Sequence, residues 1–345
     1  MLLSIPFPSW IKPEIFPGIL PVRWYGLMYI FAFATAFFVY RRQVKERNYP
    51  MSDDDLSSLF FWGILGLLAG ARIFSMVIYY PDIKYLYMPW LIFWPFENGK
   101  LVGLQGMSYH GGAVGGLLAV IIFTKVRKFN LREIADMYSA SIPLGYTFGR
   151  IGNFINAELY GRVTASPIGM IFPDAMEHSI SESWVQEVVE KTGMAVSGGF
   201  VNLPRHPSQL YEALFEGIVL WAIIWLFRNR KPFKGFLTGL YFIGYGFFRF
   251  FIEYFREADS HLGYRIEFVK STLPVAYSHP PFSFSTGQIL CFLMIVFGLI
   301  WIYVCSKLPG REVVRVYADE EIKHSNKEEV AAKKNRQRNL RKKLK

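Results

Sequence analysis

Apolar runs separated by short polar connections set the pattern of this chain. Six of them, at about 24–40, 59–80, 109–124, 209–227, 235–255 and 286–306, approach or exceed the length that crosses a bilayer as a helix once interfacial residues are added. A seventh, at about 133–149, is weaker because it carries Pro143, Gly145 and Gly149 and has a polar end. Such residues are tolerated at membrane depth where neighbouring helices satisfy the freed backbone groups.

Charge in the connections supports the seventh span. Arg41, Arg42, Lys45 and Arg47 lie in one connection, Lys125, Arg127, Lys128 and Arg132 in the next, and Arg228, Arg230, Lys231 and Lys234 in a third. Lys/Arg-rich connections stay in the cytoplasm. The intervening segments carry few basic residues, so the alternation needs a crossing between Arg132 and the loop at 150–208. The predicted fold is an all-α polytopic membrane protein of seven helices, its N-terminus outside and its C-terminus cytoplasmic. Residues 1–306 form the transmembrane domain, with a longer outer loop at 150–208, and 307–345 a basic cytoplasmic tail.

Composition agrees with this class. Of 345 residues, 52% are hydrophobic and 19% charged, which excludes a disordered or collagen-like chain and is far from a soluble domain of this length. The net charge of +11 suggests nucleic acid when taken alone, but residues 307–345 hold 13 Lys/Arg against 6 Asp/Glu. Beside a membrane span such a tail faces anionic lipid, so membrane lipid is the expected partner and nucleic acid is not. Cys291 and Cys305 stand about 21 Å apart along one helix and cannot bridge each other. No metal spacing or redox motif is present, and no cofactor is expected. The first ten residues lack the basic and apolar regions of a signal peptide, so the first span is expected to direct insertion.

Ionisable groups inside spans are functional candidates, since each costs roughly 2.5–3.5 kcal/mol at the helix centre on insertion scales. At about 100° per residue, Tyr245, Arg249, Glu253 and Arg256 project from one stripe of the Phe-rich sixth span. Glu253 can pair with either arginine along the helix, which leaves a net positive site able to hold an anion. Arg72 in span 2, Arg150 at the outer end of span 4, and Tyr25 and His110 at the starts of spans 1 and 3 fall at the same outer level. A channel or transporter path would spread polar groups over the full depth.

His110 precedes Gly111, Gly112, Gly115 and Gly116, glycines that let helices approach closely. The helix N-terminus favours neutral imidazole, suited either to accepting a proton or to bonding a neighbouring carbonyl. The segment Gly149-Arg150-Ile151-Gly152-Asn153-Phe154-Ile155-Asn156-Ala157-Glu158-Leu159-Tyr160-Gly161-Arg162 places two Arg, two Asn and a Glu just beyond an apolar run. It is an anion site by its chemistry, or a hydrogen-bonded re-entrant turn.

These blocks resemble the prolipoprotein diacylglyceryl transferase family. Gly149–Gly161 carries that family's Gly-Arg-x-Gly-Asn-Phe-x-Asn-x-Glu-x-x-Gly signature, and Arg23–Tyr29, Ser108–Gly112, Arg205–Glu212 and the Tyr245/Arg249/Glu253/Arg256 stripe match as well. The resemblance spans about 20–306. It implies a seven-helix bundle with an external head in the bacterial inner membrane, its active site near the outer leaflet. It implies transfer of a diacylglyceryl group from phosphatidylglycerol to the lipobox cysteine thiol of a prolipoprotein, with glycerol phosphate leaving. Arg150 and Arg249 would bind the lipid phosphate, and Asn153, Glu158 and Gly161 would shape the headgroup pocket. Tyr25 and Tyr245 would bond the headgroup or orient Arg249. His206 would close the pocket, unless it only forms the turn before Pro207. Glu253, Arg256 and Arg72 would support the site. His110 is the candidate base, and arginine-assisted thiolate formation is the alternative route. A transporter or lipid receptor would use the same charges without chemistry, and an RNA-binding scaffold would rest on the tail alone.

Overall fold

The computed structural model describes residues 4–16, 20–97, 99–101, 106–257, 264–268, 273–280 and 282–308. Most of the predicted basic tail, residues 309–345, lies outside them. Nine helices of nine or more residues organise the described residues: α1 Trp24–Glu46, α2 Asp53–Phe74, α3 Tyr109–Val126, α4 Leu131–Ser139, α5 Ile142–Ile155, α6 Ser183–Thr192, α7 Ser208–Phe227, α8 Phe236–Ile252 and α9 Thr286–Lys307. Among the described residues, four segments are long and apolar enough to cross a membrane: Asp53–Tyr79, Tyr109–Val126, Ser208–Phe227 and Thr286–Lys307. The chain is a helical, multi-pass membrane protein. Short strand pairs supplement the helices, each with only two strands.

The helix starts follow local chemistry. The Ser52 hydroxyl accepts from the Asp55 amide at 3.0 Å, and Asp53, Asp54 and Asp55 fill the first turn of α2, where the helix dipole favours acid. Ser108 caps α3 through the Gly111 amide, and Ser285 with Gln288 forms a capping box for α9.

The weak span departs from the expected single helix over 133–149. It is two helices, α4 and α5, with turn residues at Ala140 and Ser141. Pro143 enters as the second residue of α5, and a proline has no N–H to continue the preceding helix and restricts the residue before it. A second departure lies in α7, where Ala213–Val219 is wound as a π-helix between α-helical ends.

The chain divides into two compact units, 41–135 and the remainder. In the first, α2 and α3 pack through facing glycines: a methyl group at Gly115 would collide with the Gly66 carbonyl, and one at Gly70 with the Gly111 carbonyl. In the second, α8 and α9 meet in the same way at Gly239 and Gly298. The predicted head is a folded body. Its core is Val163, Trp184, Val185, Val188, Val201 and Leu203, with α6 beside a hairpin that pairs His178–Ser179 with Phe200–Val201. The N-terminal strand Ile5–Pro6 pairs in parallel with Met170–Ile171 of the head.

A buried polar centre ties α4 to the start of α8. Asp136 Oδ2 accepts from Lys231 Nζ at 2.9 Å and from the Gly235 amide at 2.8 Å. Its Oδ1 accepts from the Thr238 amide at 2.9 Å and hydroxyl at 3.0 Å. Both charged side chains have zero exposure, so removing one strands the other in an apolar medium. Asp136→Ala is expected to lower stability by roughly 3–5 kcal/mol, visible as an earlier thermal transition in detergent, while Asp136→Asn keeps more of it.

Candidate functional site

The charged groups predicted on separate segments converge inside the larger unit. Arg150 projects from the third turn of α5, and Arg249 from the last turn of α8. Arg150 Nε and Arg249 Nη1 each stand 2.9 Å from Oε2 of Glu212, whose side chain is 1% exposed. Arg256 Nε lies 3.6 Å from the other oxygen of the same carboxylate. Arg249 also faces Glu216 Oε1 at 3.6 Å and Glu253 Oε2 at 3.5 Å.

Glu212 and Glu216 are the residues that sequence reasoning missed, and they correct the expected net positive site. Three arginines here face three carboxylates. The signal was present, since two carboxylates four residues apart inside an apolar span are costly and need partners. Counting charges along one helix overlooked them because they sit on another.

Tyr146, also missed, completes the group. Its hydroxyl accepts from Arg150 Nε at 2.6 Å and donates to Glu216 Oε2 at 2.6 Å, while the Arg150 guanidinium lies over its ring at 4.7 Å. Tyr245 meets Tyr146 edge-on with centroids 6.0 Å apart. The predicted stripe on span 6 is partly unwound. The helix ends at Ile252, Glu253 is its cap and accepts from the Ser285 hydroxyl at 3.2 Å, and Arg256 bridges to Gly161.

The Gly149–Arg162 segment is helical through Ile155 and then turns sharply. Asn153 Oδ1 accepts from Arg150 Nη1 at 3.4 Å, and its Nδ2 donates to Glu158 at 2.8 Å. Ala157 and Leu159 both adopt left-handed backbone, at φ 53° and 55°, a strained conformation for residues with a Cβ. Gly161 admits close backbone approach: its amide donates to the His206 carbonyl at 2.8 Å, and a methyl group there would strike the Phe255 carbonyl. Tyr25 packs over Gly152 and its hydroxyl bonds that of Tyr29 at 2.8 Å.

His206 lies just before α7, its Nδ1 3.2 Å from the Tyr211 hydroxyl and its ring edge-on to Phe255. Burial, with the Arg162 charge nearby, pushes its pKa down to about 4, so the imidazole is neutral at pH 7. Two predicted residues belong to the other unit. His110 opens α3 with Nδ1 3.0 Å from the Tyr79 hydroxyl, in place of the carbonyl partner considered above. Arg72 is buried and donates to the carbonyls of Ile92 at 2.5 Å and Gly106 at 3.2 Å, which fastens the connection after α2.

An apolar groove of about 490 Å³ runs between α7 and the end of α8. Tyr211 and Phe215 of α7 form one wall, and Phe248, Ile252 and Phe255 the other. Phe215 and Phe255 remain about two-fifths exposed. The same two helices therefore present carboxylates and an arginine on one side and aromatic rings on the other. The arginines suit an anion, and the groove suits a hydrocarbon chain.

Comparison with known proteins agrees with this chemistry. The family model described as prolipoprotein diacylglyceryl transferase matches residues 13–304. A Treponema denticola protein named phosphatidylglycerol–prolipoprotein diacylglyceryl transferase is 53% identical over 317 residues, covering 87% of this chain and 94% of the relative. Proteins of the same name from Treponema pallidum and Chlorobaculum tepidum are 50% and 41% identical, covering 91% and 85% of this chain and 99% and 91% of their own lengths. With the family model matched over most of its length and half its residues shared with such relatives, the chain belongs to the prolipoprotein diacylglyceryl transferase family.

Proposed function

We propose that the chain transfers the diacylglyceryl group of phosphatidylglycerol to the lipobox cysteine of prolipoproteins. The observation that carries this reading is the meeting of Arg150 and Arg249 at one buried point. The thiolate sulfur attacks the glycerol carbon, the carbon–oxygen bond to phosphate breaks, and glycerol phosphate leaves with the electron pair. Charge builds on the departing phosphate, where two planar guanidinium groups from different helices stabilise it. Asn153, through its bonds to Arg150 and Glu158, sets the pose of Arg150. Gly161, Tyr25 and Tyr245 shape the headgroup pocket.

His110 takes the thiol proton in this proposal, on its chemistry and motif alone. The base must be the second ring nitrogen, Nε2, so the working tautomer donates from Nδ1 to the Tyr79 hydroxyl. The proposed topology keeps the seven crossings of the sequence pattern, with α4 and α5 sharing the fourth, in a bacterial inner membrane. The N-terminus is outside, the tail cytoplasmic, and the site near the outer leaflet, where the arginines of α5 and α8 lie by the basic-connection rule.

Purified protein in vesicles containing phosphatidylglycerol, given a lipobox peptide, is expected to yield diacylglyceryl-peptide and glycerol phosphate without added metal or nucleotide. Arg150→Lys and Arg249→Lys keep the charge but lose the fork, and each is expected to lower kcat by roughly 100-fold or more. Full turnover in both would remove the phosphate roles, and lipid movement without covalent product would indicate a transporter. His110→Asn is expected to lose roughly 10²–10⁴ in rate. For His206 the folded pKa lies below the unfolded value of 6.5. Its stabilising contribution is therefore complete above pH 6.5 and lost as pH falls toward 4, a dependence that His206→Gln should flatten in denaturation measurements.

A further inference from the structure

We propose that Glu212 is an exchangeable internal anion: it holds Arg150 and Arg249 together before lipid arrives, then turns onto Arg256 and yields its place to the phosphate. This inference rests on the lipid-phosphate roles of the two arginines. Four observations support it. One oxygen of Glu212 sits 2.9 Å from both guanidinium groups, which come from different helices and would otherwise repel each other. A phosphate engaging the same nitrogens needs that point. The second oxygen already faces Arg256 at 3.6 Å, so a rotation within the side chain brings it to another cation.

The third observation is incomplete satisfaction. Arg249 Nη1, Arg256 Nε and Glu212 Oε1 are buried without an aligned hydrogen bond, although charges lie close. A carboxylate has too few oxygens to serve three guanidinium groups, and a phosphate bonds them with better geometry. Fourth, Glu216 is committed differently, since it takes the Tyr146 hydroxyl at 2.6 Å and lies farther from Arg249. Glu212 lies farther from that hydroxyl, at 3.3 Å, and closest to the two guanidinium groups at 2.9 Å, so its main partners are the cations that a phosphate would take. Electrostatics requires the move: a phosphate beside an unmoved carboxylate in an apolar bundle meets like-charge repulsion. Glu212 is thus a positioning residue, acting through the arginines.

The test measures initial transfer rate against the mole fraction of phosphatidylglycerol in phosphatidylcholine vesicles, with the lipobox peptide as acceptor. Glu212→Gln has no charge to displace, and its apparent KM is expected to fall roughly five- to tenfold. An unchanged or raised KM, or loss of kcat alone, would overturn the exchange and mark Glu212 as a structural or proton-transfer group. Arg256→Gln removes the alternative cation and is expected to raise KM by about fivefold in the wild-type background but less than about twofold beside Glu212→Gln. Additive effects would equally overturn it. If Glu212→Gln is too unstable to assay, the Arg256→Gln KM decides: no rise overturns the inference. Turnover by the unaltered protein is the separate readout for the proposed function, so the two fail independently.

Discussion

Charge carried into an apolar helical bundle must be matched, and the larger unit is organised around that requirement. Arg150, Arg249 and Arg256 are held where water is scarce, and Glu212, Glu216 and Glu253 meet them. The partners come from different elements, so satisfying the charges also fixes α5, α7 and α8 relative to one another. The cap of α8 joins them, since Glu253 bonds Ser285 at the start of α9. Asp136 and Lys231 follow the same rule with every carboxylate acceptor filled. That centre is saturated and therefore structural, whereas the arginine cluster retains unaligned donors and suits an incoming anion.

Local backbone irregularity serves the same end. The π-helical turn at Ala213–Val219 follows Glu212 directly and contains Glu216, and both carboxylates are buried toward the arginines. Gly217 within it packs against Thr147 of α5 with no room for a side chain, which brings the two backbones close. The left-handed residues Ala157 and Leu159 turn the chain so that Asn153 and Glu158 stay bonded across the end of α5. Single-turn π segments and strained residues collect at functional sites because regular geometry cannot aim the side chains as needed.

The site's two faces fit one kind of ligand. Guanidinium forks favour phosphate, and the aromatic groove lacks polar partners for anything but a hydrocarbon chain. The aromatic content has a use beyond helix anchoring, because Phe215, Phe248 and Phe255 line that groove.

Much of this was legible in the chain itself. Apolar periods located the membrane helices, with some ends about six residues off and the fourth span read as one helix, because a membrane segment must be both long and uncharged. The expensive residues Arg150, Arg249 and Glu253 marked themselves by standing inside such segments. The break between α4 and α5 was foreshadowed by Pro143, and the structure places it at Ala140 and Ser141, where the Ser141 hydroxyl donates back to the Met137 carbonyl. Only the tertiary structure decided which charge meets which. Helical periodicity reports neighbours three or four residues away on one helix, and Glu212 reaches Arg150 and Arg249 across 62 and 37 residues of chain. Sequence alone established that arginines would need an anion, and folding chose the carboxylate that supplies it, because pairing across helices depends on their packing and register.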